Sequence, residues 1–391
     1  MDRQILHVDM NGFYASVEMI FHPEARNVPM AVGGDAQARH GVILAKNELA
    51  KQRGVKTAET IWQARKKCPE LLLLPPHHDL YHQYYEKANA IYRRFTDQVE
   101  PASIDESYLD VTGSQALFGT GEEIAHRIRR AVKEELQLTV SVGVSFCKTF
   151  AKIGSDLKKP DAVTCIPREK VTEILWPLPI EQMLSVGAVT AARLRKKGIG
   201  TIGDLARQSR ETLEEMMGKH GASLYLAVHG LEEDPVRRWG EGEDPKSIGR
   251  NRTFRQDVVG DEAVRRELLA LCEDVAWRLR RQGMRCWGVQ VTIKDPQFVT
   301  IDRQGKLDEP ENAMTPLFQA AWQVYQRSWK GNKPIRMLGV TAIRLTREAG
   351  QMSLFDDGKK EKLSQSIDGI WDKFGPGAIR PAALLKKEDS K

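Results

Sequence analysis

The stretch SIDESYLDV, residues 103–111, decides how the rest of the chain is read. Asp105 and Glu106 stand side by side at the head of an alternating run that ends in Tyr108, Leu109, Asp110 and Val111. Alternation of apolar and polar residues predicts a half-buried strand, so the acidic pair falls where a strand begins or a hairpin turns. Far upstream, QILHVDM (residues 4–10) predicts a second short strand with Asp9 near its end. Three carboxylates delivered by two strand ends can face one point if those strands are neighbours in one sheet. Such a cluster is costly unless a cation neutralises it, because close like charges raise each other's pKa. Spacing alone leaves two readings open: Asp9, Asp105 and Glu106 hold divalent metal, or each is a turn or capping residue.

A chain of 391 residues exceeds what one core serves, and about two to four domains are expected. Hydrophobic residues make up 41% and charged residues 29%, a balance that favours a soluble globular class over a disordered one. No apolar run approaches the roughly 18 residues that a membrane helix needs, so no membrane association is expected. The opening MDRQILHVDMNG lacks the apolar core of a signal peptide, which implies a cytoplasmic protein. Five scattered cysteines (68, 147, 165, 272 and 286), none in a CxxC pair, speak against a disulfide framework or a zinc site.

Charge is unevenly placed. Residues 245–348 carry 19 Lys+Arg against 12 Asp+Glu, whereas the remainder carries 40 against 41. The positive excess therefore sits in one C-terminal block, which reads either as a solvated face or as a surface for a polyanion such as nucleic acid.

In chain order, residues 12–21 predict a short helix stopped by Pro23, with Phe13 and Tyr14 in its first turn. Residues 29–33 predict a strand, VILAKNELAKQRG (42–54) a helix closed by Gly54, and residues 60–67 another helix. A long helix is expected over residues 78–96, with Tyr81, Tyr84, Ile91 and Tyr92 on its apolar face. A helix over 122–135 and a strand over 139–146 follow. KTFAKIGSDLKK (148–159) predicts a basic helix with Lys152 and Lys159 on one side. Residues 167–234 read as helical around MLSVGAVTAARLRKKGIGTIGDL (183–205), a helix, a Ser185-Val186-Gly187 turn and a second helix. That arrangement is similar to a helix-hairpin-helix, whose backbone N–H groups near Gly187 can meet a DNA phosphate without reading bases.

Residues 235–244 read as a charged, Gly- and Pro-containing linker. The basic block then predicts β-α-β-β-α-β, the split ferredoxin-like order, with strands over 247–256, 285–294, 298–303 and 336–346. Arg250 and Arg252 alternate with Asn251 and Thr253, which puts two guanidiniums on one sheet face. Residues 349–391 are polar and read as a flexible tail. Within it, QMSLF (351–355) offers Gln351, Leu354 and Phe355 as a portable anchor, and Leu363, Ile367, Ile370, Trp371 and Phe374 mark a short amphipathic helix.

Taken together, VDMNGFYASVE (8–18), ASIDESYLDV (102–111) and VGVSFCKTFAKIGSDLKKP (142–160), then the hairpin, the basic block and the tail motif, resemble the Y-family of DNA polymerases, the DinB or DNA polymerase IV type. The resemblance covers about residues 4–355. It implies an α+β right hand: palm at 1–22 and 78–166, small fingers at 23–77, a helix-hairpin-helix thumb at 167–234, and a ferredoxin-like little finger at 245–348. It implies a template-directed DNA polymerase that adds dNTPs to a primer 3′-OH with two Mg²⁺ ions, at low fidelity, in lesion bypass. Asp9 and Asp105 would bridge both metals, Glu106 would hold the ion at the primer end, and the Met10 carbonyl would complete the nucleotide-side ion. Tyr14 matches the steric gate against a ribose 2′-OH, Phe13 lies beside it under the nucleotide, and Lys159 matches the lysine that meets the triphosphate. Gln351, Leu354 and Phe355 would bind a bacterial sliding (beta) clamp. A monomer acting on primer-template DNA in the bacterial cytoplasm, at the nucleoid, is expected.

The chain departs from the family where T-x-x-Y-E-A-R is usual and AKNELAK (45–51) stands instead. Glu48 replaces the tyrosine and Lys51 the arginine, so Lys51 can supply charge to phosphate but no bidentate fork. Cys147 stands where asparagine is usual. A nucleotidyl cyclase or nuclease with a similar palm, and a catalytically impaired, clamp-associated DNA-binding homologue, are the rival readings.

Overall fold

Strand β1 (Ile5–Met10) is buried along its whole length. A near-continuous apolar run is what a strand covered on both faces requires. The computed structural model that contains it describes residues 2–34, 41–330, 333–348, 359–375, 378–379 and 384, in two units, 1–242 and 243–391.

The first unit holds β2 (Met30–Gly33), β3 (Ile43–Lys46), β4 (Leu72–Leu74), β5 (Val99–Pro101), β6 (Glu106–Asp110), β7 (Val140–Ser145) and β8 (Val163–Ile166). Its main sheet runs β5-β6-β1-β7-β8, with β1 antiparallel to both β6 and β7. Leu6, Val8, Leu109 and Val142 pack against helices His78–Tyr92 and Gly121–Leu136 in one core. Strand alternation sends His7 and Asp9 to the opposite face, towards helix Lys148–Leu157. That helix approaches closely because Gly143 has no side chain: a Cβ there would lie 1.9 Å from the Ala151 carbonyl oxygen. The long helix stops at Tyr92, four residues before the expected end, and Lys159 lies beyond its own helix, which stops at Leu157.

A smaller sheet, β3-β2-β4, follows β1 in the chain. Here the expected single helix over 42–54 is instead a strand and a short helix. Val42, Ile43 and Leu44 favour extended chain, and β3 pairs with β2. Asn47 then caps helix Glu48–Gln52, accepting from Ala50 N–H while its amide donates to the Val28 carbonyl at 2.8 Å.

The helical stretch after β8 shares a core with helix Lys148–Leu157: Ile180, Met183, Leu194, Ile202 and Leu224 cluster with Phe146, Phe150 and Ile153. The hairpin is lopsided, because only a 3-10 turn, Ile180–Gln182, precedes it, and Met183 leaves the helical path to bury its side chain. Ser185 takes the left-handed conformation that glycine would adopt without strain, with φ of 67°. The stretch read as a linker is laid against the main sheet as far as Trp239: Val236 packs with Ile5 and Tyr108, and Arg93 lies over the Trp239 ring.

The second unit holds β9 (Ser247–Val258), β10 (Arg285–Lys294), β11 (Thr300–Glu311) and β12 (Ile335–Thr346), in the order β11-β10-β12-β9. Every neighbouring pair is antiparallel, so each β-α-β crossover leaves a gap that one other strand fills. Helices Asp261–Arg281 and Met314–Ser328 cover one face through Leu268, Leu271, Leu279, Leu317 and Val324. β11 runs well past the expected end at Arg303. Part of the expected flexible tail is helix Lys359–Phe374. It docks on helix Asp261–Arg281, with Trp371 buried beside Trp277 and Arg280 donating twice to Asp368 at 2.6 Å. Gln351, Leu354 and Phe355 lie outside the described residues. Among the described residues no helix is long and apolar enough to cross a membrane.

Candidate active site

Sheet register creates the site. Asp9 of β1 lies directly opposite Glu106 of β6, and the Met10 N–H donates to the Asp105 carbonyl at 2.9 Å. Gly12, with φ of 52°, turns the chain sharply out of β1, so the next helix, Phe13–Phe21, starts against the same space. A cleft of about 450 Å³ results, lined by Asp9, Met10, Phe13, Tyr14, Lys46, Thr57, Asp105, Glu106 and Lys159 among others.

Two lysines answer the carboxylates. Lys159 lies 2.7 Å from Asp9 Oδ2 and 2.7 Å from Asp156, and Lys152 lies 2.8 Å from Glu106 Oε2. Ser103 Oγ donates to Asp105 Oδ1 at 2.6 Å. Behind Glu106, buried His7 shares a 2.8 Å hydrogen bond with Ser155, and its Nε2 stands 3.7 Å from Glu106, beyond hydrogen-bonding reach. The two facing carboxyls are driven apart. Burial pushes Asp9 up to about 7, against the pull of Lys159, while the Lys152 ammonium at 2.8 Å holds Glu106 well below the usual carboxylate range.

The donor set fits a hard divalent cation, since the carboxylates and the Met10 carbonyl offer only oxygen. Among the described residues no three His, Cys, Asp or Glu side chains are drawn closely enough to share one ion; the lysine ammoniums hold the carboxylates singly.

Tyr14 lines the cleft, stacked on Tyr81 with ring centroids 4.1 Å apart and planes 13° from parallel. Tyr81 in turn donates its hydroxyl to Glu18, which is 1% exposed and also hydrogen-bonds His77 Nδ1 at 2.9 Å. Phe13 is buried and its ring lies 5.6 Å from Tyr14. The sequence placed Tyr81 only on an apolar helix face and passed over Glu18 and His7. A buried acid inside an apolar run, as Glu18 is in FYASVEMIF, is the signal that could have found it.

Other expected site residues fall elsewhere. Lys51 does not line the cleft; it is exposed and pairs with Glu48 at 3.3 Å. Cys147 is fully buried at the start of helix Lys148–Leu157, and burial pushes its thiol up to about 12. Gly187 caps helix Ala188–Arg195 beside open space, where a Cβ would meet nothing within 4 Å. Arg250 and Arg252 do share a face of β9, but it is the face of buried Ile248 and Phe254. Both reach acids of helix Asp261–Arg281, Arg250 to Asp274 at 3.5 Å and Arg252 to Glu267 at 2.8 Å.

Comparison with known proteins agrees with this architecture. Residues 8–156 match the profile of the impB/mucB/samB family, and residues 245–354 match that of the impB/mucB/samB family C-terminal domain. DNA polymerase IV of Acetivibrio thermocellus is 43% identical, over 99% of this chain and 98% of the relative. DNA polymerase IV of Desulfatibacillum aliphaticivorans is 38% identical over 97% and 96%, and DNA polymerase IV 1 of Bacillus subtilis 36% over 100% and 95%. A solved Y-family DNA polymerase chimera of Dbh and Dpo4 superposes with a TM-score of 0.78 over 88% of this chain and all of that one, at 24% identity, a likeness of fold.

Proposed function

Since the chain belongs to the impB/mucB/samB family and is a Y-family DNA-directed DNA polymerase of the DNA polymerase IV type, we propose that the cleft between β1, β6 and helix Phe13–Phe21 is where it joins dNTPs to a primer 3′-OH by two-metal catalysis, in lesion bypass. The observation that carries this reading is the register that sets Asp9 against Glu106, with Asp105 and Tyr14 lining the same cleft. Asp9 and Asp105 would hold both Mg²⁺ ions, Glu106 the one at the primer end, and the Met10 carbonyl the one at the nucleotide. When bound, the ions supply Lewis acidity, which acidifies the attacking hydroxyl and neutralises charge on the triphosphate and the departing pyrophosphate.

The chain's own groups do the rest. Lys159, now shared between Asp9 and Asp156, is free to turn an ammonium to the triphosphate once Asp9 is otherwise neutralised. Tyr14 presents a ring held flat on Tyr81, and that ring would clash with a ribose 2′-OH. Fingers built on three short strands leave the cleft open to distorted templates, which supports lesion bypass. The palm is assigned to 1–22 and 78–166, the fingers to 23–77, the thumb to 167–234 and the little finger to 245–348, with 351–355 as a sliding-clamp anchor of a monomeric bacterial enzyme.

Primer extension with dNTPs and Mg²⁺ tests the reading. Asp105→Ala/Glu106→Ala is expected to lose about a thousandfold or more of the wild-type rate. Equal rates in the two proteins would end it. In the same assay with a sliding clamp, Leu354→Ala/Phe355→Ala is expected to lose clamp-stimulated product length and keep distributive synthesis; unchanged stimulation would remove the anchor.

A further inference from the structure

Lys46 is the last residue of β3 and lines the cleft together with Asp9, Asp105, Tyr14 and Lys159. It is half-buried, and its ammonium donates to Thr57 Oγ1 at 3.0 Å. Three other lysines of this region already hold acids: Lys159 holds Asp9 and Asp156, Lys152 holds Glu106, and Lys51 holds Glu48. Among the described residues no carboxylate stands within ion-pair distance of Lys46, whose hydrogen-bonded partner is a neutral hydroxyl. An ammonium has three donors, and with a neutral hydroxyl as its hydrogen-bonded partner this one has donors left for an anion that enters the cleft. Burial and the like charge of Lys51 lower its pKa below the usual lysine value, against the pull of Glu59 and Glu48.

Resting on the polymerase reading above, we infer that Lys46, steadied by Thr57, binds the terminal phosphates of the incoming nucleotide, the task that in the resembling family falls to the positions of Glu48 and Lys51. Two facts favour Lys46 over those positions. Glu48 and Lys51 cancel each other's charge outside the cleft lining, whereas Lys46 at the end of β3 lines the same cleft as Lys159. A triphosphate in that cleft would meet both ammoniums. The ligand class is a polyphosphate, and specificity for the sugar and base lies elsewhere.

Steady-state primer extension with Lys46→Ala, Lys46→Arg and Lys51→Ala, together with inhibition by inorganic tripolyphosphate, tests this. Lys46→Ala is expected to raise the dNTP KM and the tripolyphosphate Ki in parallel, each about tenfold or more, with kcat within about threefold. Lys46→Arg should recover most of both, Lys51→Ala should change neither, and primer-template Kd and melting temperature should stay as in wild type. An unchanged KM and Ki in Lys46→Ala would overturn the assignment while wild-type primer extension left the polymerase reading standing. Conversely, wild-type protein that bound tripolyphosphate through Lys46 but extended no primer would overturn the polymerase reading and leave the anion site in place.

Discussion

Tyr14 is kept in place by a chain of contacts behind its ring. Its ring rests on Tyr81, and Tyr81 is fixed by a hydroxyl bond to the buried carboxylate of Glu18. Losing that bond leaves a buried acceptor short of a partner, at about 1–3 kcal/mol, and frees the ring on which Tyr14 lies. Tyr81→Phe and Glu18→Gln are therefore expected to keep dNTP incorporation within a few fold while the preference for dNTP over rNTP falls about three- to tenfold. An unchanged preference alongside a lowered melting temperature would make the pair structural only. Tyr14, Asp105 and Glu106 could be read because motif residues keep fixed spacings along the chain. Glu18, Tyr81 and His7 could not, because their partners lie 59 or more residues away and only folding brings them together. The arginine pair shows the same limit: alternation says that Arg250 and Arg252 share a face, not which face, and the helix of the β-α-β unit took that side.

At the scale of elements, periodicity found most helices and strands, and local caps decided where it failed. Asn47 split the expected helix over 42–54, because a side chain that bonds the backbone of both neighbouring segments outweighs modest helix propensity. In the hairpin region the second short helix, Ile202–Ala206, depends on a capping box between Thr201 and Asp204. Hydrogen bonds from Thr201, the Gly200 N–H and Arg207 hold the Asp204 carboxyl down to about 2, from an ordinary 3.8. A depressed folded-state pKa stabilises the fold above the unfolded value, and the gain disappears as pH falls from 3.8 through about 2. Asp204→Asn should therefore be less stable than wild type by about 1 kcal/mol between about pH 5 and 7, and the gap in urea unfolding should close below about pH 4. A gap that stayed constant down to the lowest pH at which both proteins fold would show that the cap does not depend on charge.

For the whole molecule, the order of segments was legible and the surroundings of its charges were not. The positive surplus of residues 245–348 lies in a β-α-β-β-α-β unit, as the pattern implied, yet several arginines there face acids of their own unit. Exposed ion pairs contribute little, about 0–1 kcal/mol, because water already satisfies both partners. Arg250 and Arg252 are 48% and 47% exposed at the side chain, so a DNA phosphate can take either guanidinium from its acid at small cost. Each phosphate so neutralised releases counterions, and the slope of log affinity against log salt steepens by about 0.9 per contact. Primer-template affinity is therefore expected to fall at least about hundredfold between about 50 and 200 mM salt, and Arg250→Ala/Arg252→Ala should flatten the slope by about 1.8. If the slope survives the double substitution, the two arginines serve only Asp274 and Glu267, and the duplex is held by other cations of the chain.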